Sequence, residues 1–270
     1  MIDVLLATYR PAADILQAQV DSIRAQEGVE TRLSVREDEL GEGAARNFSE
    51  LLSRSTGDYV ALSDQDDVWR KNKLARLMDE MRRLEGEAGT DTPLLVFCDS
   101  TLTDMDLNPL PGSFLARQRV DVARGIALPR LLVQNFIAGH AMLFNAALRE
   151  KAGFIPHEAV MHDAWLALVA AAFGRIGFVD EELVLYRQHD GNALGAARLS
   201  SGAAEFRRRL NACVAQADAF ARRFGDDAPP CVHALAGLRS KGWLVRRTTL
   251  LRYNLLKHGF LRNLALMAFV

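Results

Sequence analysis

The first hundred residues alternate between short apolar segments and amphipathic segments, and this alternation restricts the fold more than any other feature of the sequence. Apolar or alternating runs bounded by turn residues predict strands at 2–8, 32–38, 59–63 and 94–100. Helical periodicity predicts helices between them, at 11–26, 41–54 and 71–85. This order indicates right-handed βαβ units, and therefore an α/β fold with a Rossmann-like, mainly parallel sheet flanked by helices.

The rest of the chain is less regular. Its patterns predict a strand at 136–145, a buried helix at 162–174, two short strands within 176–189 and helices from Ser201 onward. Residues 198–270 hold 13 Lys or Arg and 4 Asp or Glu, whereas the whole chain has a net charge of −1. The first 197 residues are therefore acidic. We expect a catalytic domain at 1–197 and a helical, basic C-terminal extension at 198–270.

Composition excludes several classes of protein. A net charge of −1 argues against a nucleic-acid-binding chain. The three cysteines are odd in number and lack metal-type spacing, which favours a reducing compartment. The first residues contain an acid, Asp3, and do not resemble a signal peptide. The longest apolar run, 164–174, is too short to span a bilayer. We therefore expect a cytoplasmic protein.

Three aspartates, Asp64, Asp66 and Asp67, directly follow the predicted strand 59–63. Clustered carboxylates raise one another's pKa values unless a cation offsets their repulsion. Mg²⁺ or Mn²⁺ suits such oxygen ligands, and Mg²⁺ commonly shares one or two carboxylates with substrate phosphates. Ligands in this type of sheet bind beyond the carboxyl ends of the strands, where Thr8 and Asp38 also fall. The cluster is thus either a metal–diphosphate clamp or a solvated acidic turn that caps the next helix.

Seven segments together resemble family 2 glycosyltransferases of the GT-A fold, and more narrowly the rhamnosyltransferase-like branch. In chain order they are VLLATYRP (4–11), VRED (35–38), GAARNFSELL (43–52), GDYVALSDQDDVWRKNKL (57–74), GHAMLFNAAL (139–148), MHDAWLALVAAAFG (161–174) and LYRQHDGNALG (185–195). The combination of SDQDDVW, HDAW and YRQHDGN carries most of the resemblance.

The resemblance implies a role for each matching residue. The catalytic base would be Asp163. The donor nucleotide would contact Thr8, Arg10, Asp38, Arg46, Asp64 and Arg187. The metal, Mg²⁺ or Mn²⁺, would be held by Asp66 with Asp64 and His189. The acceptor or sugar pocket would include Trp69, Gly139, His162 and Trp165. From the residues alone, Asp163 is equally readable as a helix N-cap, and each histidine as a structural group.

The family further implies inverting transfer of a sugar from a nucleotide-diphospho-sugar to a hydroxyl of a glycan or lipid-linked acceptor. The branch suggests dTDP-L-rhamnose as donor, and cell-surface polysaccharide or O-antigen synthesis as the setting. Two alternatives are a haloacid-dehalogenase-type phosphohydrolase with Asp64 as nucleophile, and a sugar-nucleotide-binding module without turnover. The phosphohydrolase motif usually follows the first strand, whereas two strand–helix units precede Asp64 here.

The segment 246–270 carries five basic and no acidic residues among Leu, Phe, Tyr and Met. This composition predicts peripheral contact with an anionic membrane, on the inner face of the plasma membrane. Its charges scatter around a helical wheel, so packing of a helix on the catalytic domain is the other interpretation.

Overall fold

The computed structural model describes residues 1–189 and 203–270. Its strands are β1 Ile2–Thr8, β2 Thr31–Glu37, β3 Tyr59–Ser63, β4 Val68–Trp69, β5 Leu94–Thr103, β6 Pro109–Ser113, β7 Met142–Asn145 and β8 Arg175–Arg187. Its helices are α1 Ala13–Arg24, α2 Ala44–Arg54, α3 Lys73–Ala88, α4 Phe114–Gln118, α5 Val122–Gly125, α6 Leu128–Leu131, α7 Ala146–Ala152, α8 His162–Phe173, α9 Ala203–Phe224, α10 Pro230–Ala236, α11 Trp243–Arg252 and α12 Phe260–Phe269.

The strands form one mixed sheet in the order β2-β1-β3-β7-β5-β8-β4, with β6 paired to β5. Five strands, β1, β2, β3, β5 and β8, run in one direction, and β4, β6 and β7 run in the other. The predicted α/β class is confirmed. The sequence does not predict that β7 enters antiparallel between β3 and β5, because strand order depends on pairing between distant segments.

Helices cover the sheet where the periodicity predicts them. The stripe of Leu74, Leu77, Met78 and Met81 on α3 is buried in a core cluster that also contains residues of β1, β3, β5 and β8. Every residue of β1 is buried, as expected for a strand with both faces covered. Helix α8 is buried from His162 to Ala170, so its almost uniformly apolar sequence reflects packing on all sides.

Two predicted elements differ from the structure. The predicted strand 136–145 is a strand only at Met142–Asn145, because Gly139–Ala141 forms a 3₁₀ turn closed by the Ala141 N–H and the Ala138 carbonyl. The predicted pair of strands within 176–189 is one strand, β8, which follows β5 in parallel. Register shifts around Asp99 interrupt the regular pairing without ending the strand, and such bulges are not visible as a period in the sequence.

The chain forms two compact units. Within the described residues, the first comprises 1–118, 137–155 and 161–189, and the second comprises 119–136, 156–160 and 203–270. The second unit is helical, as the pattern from Ser201 predicts. The predicted boundary at residue 197, and the 190–195 part of the last family-like segment, lie outside the described residues.

Long-range hydrogen bonds explain why the second unit includes residues 119–136 and 156–160. The Arg130 guanidinium donates to the carbonyls of Leu256 and Lys257 at 3.2 and 3.1 Å. Similarly, the Val160 N–H donates to Gln216 on α9 at 2.8 Å. No local pattern predicts these partners, which are separated by more than fifty residues. In the part of the chain that the structure describes, no helix is both long and apolar enough to cross a bilayer.

Candidate active site

The carboxyl ends of β2, β1 and β3 meet at one edge of the sheet and bring three predicted residues together. Thr8 ends β1, and Asp38 and Asp64 directly follow β2 and β3. The Asp38 N–H donates to the Thr8 carbonyl at 2.8 Å. The side chain of Gln65 pairs with the backbone of Tyr9, accepting from its N–H at 2.6 Å and donating to its carbonyl at 3.2 Å. The loops after these strands are therefore tied to one another.

Asp38 organises the turn that precedes α2. Its carboxylate accepts hydrogen bonds from the backbone N–H groups of Glu42 at 2.9 Å and Gly43 at 2.7 Å. Desolvation acts to raise the pKa of Asp38, but these hydrogen bonds outweigh it and lower the pKa below its usual value. Asp38 is thus an ionised, fixed group at the sheet edge. Its contact with a nucleobase stays a prediction.

Helix α2 presents Asn47, rather than Arg46, to the strand ends. The buried Asn47 amide donates to the carbonyls of Thr8 at 3.2 Å and Arg36 at 3.1 Å. Arg46 is exposed and lies 3.3 Å from Glu50, one turn further along the same helix. Arg10 is also exposed, with a left-handed backbone (φ 44°) and its guanidinium 5.2 Å from the ring centre of Tyr9.

Asp64 and Asp67 converge on His140, which the sequence analysis does not single out. The His140 Nδ1 atom lies 3.7 Å from an oxygen of Asp64 and 3.6 Å from an oxygen of Asp67. The other ring nitrogen of His140 lies 3.0 Å from the Ser100 hydroxyl, which fixes the orientation of the ring. Asp67, the buried member of the acidic run, is therefore not part of a solvated turn, whereas Asp64 stays partly exposed.

The pKa values of the Asp64 and Asp67 carboxyl groups are shifted in opposite directions. Asp67 is fully buried, and burial, followed by repulsion from Asp66 and Asp64, raises its pKa well above the usual value. Asp64 is partly exposed; desolvation acts to raise its pKa, but His140 outweighs it and lowers the pKa. Asp64 therefore carries more of the negative charge of this cluster than Asp67 does.

Asp66 faces a different histidine. One of its carboxylate oxygens lies 2.6 Å from the Nε2 atom of His189. The guanidinium of Arg187 donates to the Asp66 carbonyl at 2.9 Å and to the Met105 carbonyl at 3.0 Å. Arg187 therefore holds the aspartate loop in place, and its predicted contact with a leaving diphosphate stays a prediction. A cavity of about 370 Å³ adjoins Arg187, lined also by Asp14, Ile15, Met105, Asp106 and Leu107.

A buried lysine lies beneath the cluster. The Lys73 ammonium donates to the His140 carbonyl at 2.6 Å and lies 3.2 Å from the ring centre of Trp69. Desolvation lowers the pKa of Lys73 to about 7, although the nearby Cys98, Asp67 and Asp64 oppose this shift. Trp69 is buried under this cation, so its predicted place in the wall of an acceptor pocket is corrected: it packs behind the site.

Asp163 lies in the first turn of α8, and Met161, not Asp163, is the N-cap of this helix. The N-cap interpretation of Asp163 is therefore wrong. Its carboxylate accepts a hydrogen bond from the Gly139 N–H at 3.2 Å. Burial raises the pKa of Asp163 to about 7, against the lowering effect of backbone hydrogen bonds from Ala164 and Gly139. A carboxyl group with such a pKa can exchange a proton near neutral pH.

Gly139 is required for a close approach inside the site. A Cβ atom at this position would lie 2.7 Å from the Nε2 atom of His162. His162 itself is buried against the ring of Phe48, with 4.0 Å between ring centres, and desolvation lowers its pKa to about 4. The backbone of Gly139 therefore packs directly against the side chain of His162 on α8, and this histidine is neutral.

Trp165 is buried in the core, which corrects its predicted place in the wall of an acceptor pocket. It has no exposed surface, and its indole N–H donates to the Ala152 carbonyl on α7 at 3.2 Å. Position 165 follows Asp163 by two residues, so its side chain points from α8 towards another side of the helix. Trp165 supports the helix that carries Asp163.

The cluster of Asp64, Asp67 and His140 fits a divalent ion. One donor atom from each residue lies within 4.8 Å of the others. Both side-chain oxygens of Asp67 are buried and accept no side-chain hydrogen bond from the described residues, a costly arrangement that a cation would relieve. Carboxylates suit Mg²⁺ or Mn²⁺ and an imidazole suits a transition metal, so this donor set accommodates Mn²⁺.

Sequence reasoning misses Asp67, His140 and Lys73 for different reasons. Asp67 belongs to the recognised acidic run, but nothing in its neighbourhood marks it as the buried member. His140 follows the predicted Gly139, and its position 73 residues after Asp67 has no motif-like spacing. Lys73 lies on the apolar side of α3. A lysine at such a position is expected to bury its aliphatic part and to extend its ammonium group into solvent.

The fold is shared with solved GT-A glycosyltransferases. The structure of Staphylococcus aureus TarS 1–349 with UDP-GlcNAc aligns with a TM-score of 0.53 and 13% identity, covering 94% of this chain and 91% of that one. The mannosyltransferase PcManGT from Pyrobaculum calidifontis, with GDP-Man and Mn²⁺, aligns with a TM-score of 0.52 and 18% identity, covering 99% of this chain and 78% of that one. At these identities the likeness concerns the fold.

Sequence comparison then gives the family. Residues 9–150, more than half of the chain, match the model of glycosyl transferase family 2, so the chain belongs to this family. The amylovoran biosynthesis glycosyltransferase AmsB of Erwinia amylovora is 34% identical over 85 residues, 32% of this chain and 28% of AmsB. An uncharacterised protein of Mycobacterium tuberculosis is 25% identical over 148 residues, 54% of this chain and 39% of that protein. The chain spans less than half the length of these relatives.

Proposed function

We propose that this protein transfers a sugar from a nucleotide-diphospho-sugar to a hydroxyl group of a glycan or lipid-linked acceptor, with inversion at the anomeric carbon. One observation carries the proposal. Two consecutive residues connect the elements of the reaction: the Gly139 N–H holds Asp163, and the His140 ring faces Asp64 and Asp67. A carboxylic acid with a raised pKa and an acidic, cation-ready cluster thus belong to one site.

The reaction needs a proton acceptor on the side of the incoming hydroxyl. As the acceptor oxygen forms its bond to the anomeric carbon, the bond from that carbon to the diphosphate breaks, and the nucleoside diphosphate leaves with the electron pair. The hydroxyl proton passes to the carboxylate of Asp163. Positioned general bases contribute roughly 10²–10⁴-fold to such steps, most effectively when their pKa is near the working pH.

The aspartate loop would bind Mg²⁺ or Mn²⁺. Asp64, Asp67 and His140 form one group of candidate ligands, and Asp66 with His189 forms a second pair in the same loop. When bound, the ion supplies charge stabilisation for the diphosphate. Arg187 fixes the loop through the Asp66 carbonyl, and Thr8, Asp38, Arg10 and Arg46 are proposed donor contacts. The solved structures with this fold hold UDP-GlcNAc or GDP-Man with Mn²⁺, which supports a nucleotide-sugar donor and a metal.

Asp163→Asn tests the role of the base. We expect donor binding within about twofold of wild type and a loss of transfer of roughly 10²–10⁴-fold, the contribution expected of a general base. Calorimetry measures the first quantity and product formation the second. Asp79→Asn, an exposed aspartate on α3, is the matched control and should behave as wild type. Equal transfer by wild type and Asp163→Asn would remove Asp163 from the mechanism.

Metal binding is tested separately, by calorimetric titration of Mn²⁺ with nucleoside diphosphate present. Because the Asp67 carboxyl is buried with a raised pKa, Asp67→Asn is nearly isosteric with the protonated form and should fold. We expect Asp64→Asn to abolish Mn²⁺ binding in this titration. His140→Ala and His189→Ala then show which histidine shares the ion. Wild-type Mn²⁺ affinity in all four variants would refute the metal site.

The donor is proposed to be dTDP-L-rhamnose, in cell-surface polysaccharide or O-antigen synthesis on the cytoplasmic side. The similarity of the motifs to the rhamnosyltransferase-like branch and the match to AmsB support this setting. A panel of nucleotide sugars, screened by thermal shift with and without Mn²⁺, tests it. The largest stabilisation should come from dTDP-L-rhamnose, and a larger shift with another sugar would reassign the donor.

The phosphohydrolase alternative is not favoured, since the family match and the GT-A fold both point to glycosyl transfer. The protein should lack activity on p-nitrophenyl phosphate. The alternative of a binding module without turnover predicts that Asp163→Asn and wild type are equally inactive with every donor that binds.

A further inference from the structure

We propose that helices α11 and α12 carry a docking surface for an anionic lipid bilayer. This lipid-facing surface consists of the exposed apolar side chains of Trp243, Leu244, Val245, Leu251, Phe260, Leu261 and Leu264. They are seven of the fourteen large apolar residues that the described chain exposes, yet they fall within 22 consecutive positions. Exposed apolar groups gathered in so short a stretch favour an interaction site over the singly scattered apolar residues of ordinary surface.

Helix α12 shows the arrangement most clearly. At 100° per residue, Phe260, Leu261 and Leu264 occupy one face of the helix within a sector of about 100°. Leu266, near the opposite side, is fully buried. The ring of Phe269 packs on Phe206 of α9, with 5.5 Å between ring centres. The helix is therefore fixed to the unit by one side and presents an apolar strip on the other.

Helix α11 adds an aromatic and basic contact. Its Thr249 and Leu250 are buried, whereas Trp243, Leu244 and Leu251 are exposed. The Arg247 guanidinium donates to the Trp243 carbonyl at 2.9 Å and lies 4.6 Å from the centre of its indole ring. A tryptophan paired with an arginine suits the boundary between lipid headgroups and acyl chains, where an apolar ring and a cation are both accommodated.

Charge decides which partner covers the surface. Residues 228–270 contain Arg239, Lys241, Arg246, Arg247, Arg252, Lys257 and Arg262, and no acidic residue. With seven basic residues and no acidic one in this segment, two copies of the surface offer each other no charge complementarity, which disfavours self-association through it. Anionic headgroups complement the basic side chains, and the acyl region accommodates the apolar ones. The surface thus extends the segment predicted from sequence, 246–270, to include Trp243, Leu244 and Val245.

Vesicle co-sedimentation tests the proposal without any nucleotide sugar, so its outcome is independent of the proposed catalytic function. We expect the full chain to bind vesicles of phosphatidylglycerol and phosphatidylcholine but not vesicles of phosphatidylcholine alone. The double variant Phe260→Ser/Leu261→Ser should bind about tenfold or more weakly, because two inserted apolar groups are lost. Arg252→Gln should bind roughly fivefold more weakly, as expected for one cation near an anionic surface.

Phe154→Ser is the matched control, since it removes an exposed phenylalanine from the other unit. It should bind vesicles as wild type does. Phe260 and Leu261 are 80% and 76% exposed, so their replacement by serine should leave the thermal midpoint unchanged.

The tryptophans provide an internal reporter. Trp243 is 66% exposed, whereas Trp69 and Trp165 are buried. Binding to anionic vesicles should therefore shift the tryptophan emission to shorter wavelength and allow quenching by brominated lipid, and Trp243→Phe should abolish both effects. Absence of binding, equal binding to neutral vesicles, or concentration-dependent dimers lost in Phe260→Ser/Leu261→Ser would overturn the proposal; the last result would assign the surface to a second copy of this chain.

Discussion

Asp3, on β1 at the edge opposite the proposed site, gives the most quantitative prediction. Its carboxylate is 1% exposed and accepts hydrogen bonds from the Arg32 guanidinium at 2.8 and 2.7 Å, from the Ser55 hydroxyl at 2.8 Å, and from the N–H groups of Thr56 at 3.1 Å and Gly57 at 2.8 Å. Burial acts to raise the pKa of Asp3, but these donors outweigh it and lower the pKa from 3.8 to about 2.

The shift converts to stability by linkage. A lowering from 3.8 to about 2 corresponds to about 2.4 kcal/mol of unfolding free energy at 1.36 kcal/mol per pKa unit. Because the folded-state pKa is depressed, this contribution is complete above the unfolded-state pKa and is lost as the pH falls through the folded-state pKa. With these two pKa values, about 1.1 kcal/mol is already lost at pH 3 and about 0.3 kcal/mol at pH 4.

Asp3→Asn removes the titrating group while keeping the size of the side chain. The carboxamide cannot accept from all the donors that surround Asp3. It also cannot move away from them towards Gly57, because the packing is so tight that even a Cβ at position 57 would lie 2.7 Å from the Asp3 Cγ. At pH 6 we expect the variant to be less stable than wild type by at least about 2 kcal/mol, because buried donors lose their charged acceptor.

Urea unfolding of wild type and variant at pH 6, 4 and 3, followed by circular dichroism, measures the difference directly. The gap between the two proteins should narrow by about 1.1 kcal/mol from pH 6 to pH 3. Asp58→Asn, whose exposed carboxylate lies 3.3 Å from the N-terminal amine, is the control and should change stability by less than about 0.5 kcal/mol. A gap that stays constant with pH would show that the pKa of Asp3 is not depressed, and the reasoning would fail.

Two further predictions concern the proposed site. Gly139→Ala should lower the transfer rate by more than about tenfold with donor affinity nearly unchanged, because the new methyl group would displace His162 and disrupt the Gly139 hydrogen bond to Asp163. The control is Gly86→Ala on α3, where a Cβ meets no atom within 4 Å, and it should leave transfer unchanged. Equal rates for both variants would contradict this role for Gly139. Lys73→Met should destabilise the fold by about 1–3 kcal/mol in urea unfolding, because the His140 carbonyl loses its buried donor. The same variant should bind Mn²⁺ more strongly, because a cation beside Asp64 and Asp67 is removed. The exposed Lys71→Met should do neither, and weaker Mn²⁺ binding by Lys73→Met would count against the metal site.

The local features of the site follow from the sequence. The strand that ends at Ser63 and the acidic run behind it place Asp64 and Asp66 at the sheet edge, and the helical pattern after Met161 places Asp163 in the first turn of α8. Strand and helix patterns depend on the period of a few adjacent side chains, so they are readable without knowledge of any partner. The family motifs are local in the same sense, and the match over residues 9–150 confirms the family.

Partners and burial were decided only by the tertiary structure. The apolar strand 142–145 enters the sheet between β3 and β5, and this placement brings His140 to Asp64 and Asp67. Trp165, an aromatic residue beside the proposed base, is placed in the core by the way α8 packs. A side chain's pKa and accessibility depend on the atoms that surround it, and those atoms come from segments far away in the chain. The sequence therefore determined which groups stand at the ends of its strands and helices, and the packing of the sheet determined which of them meet.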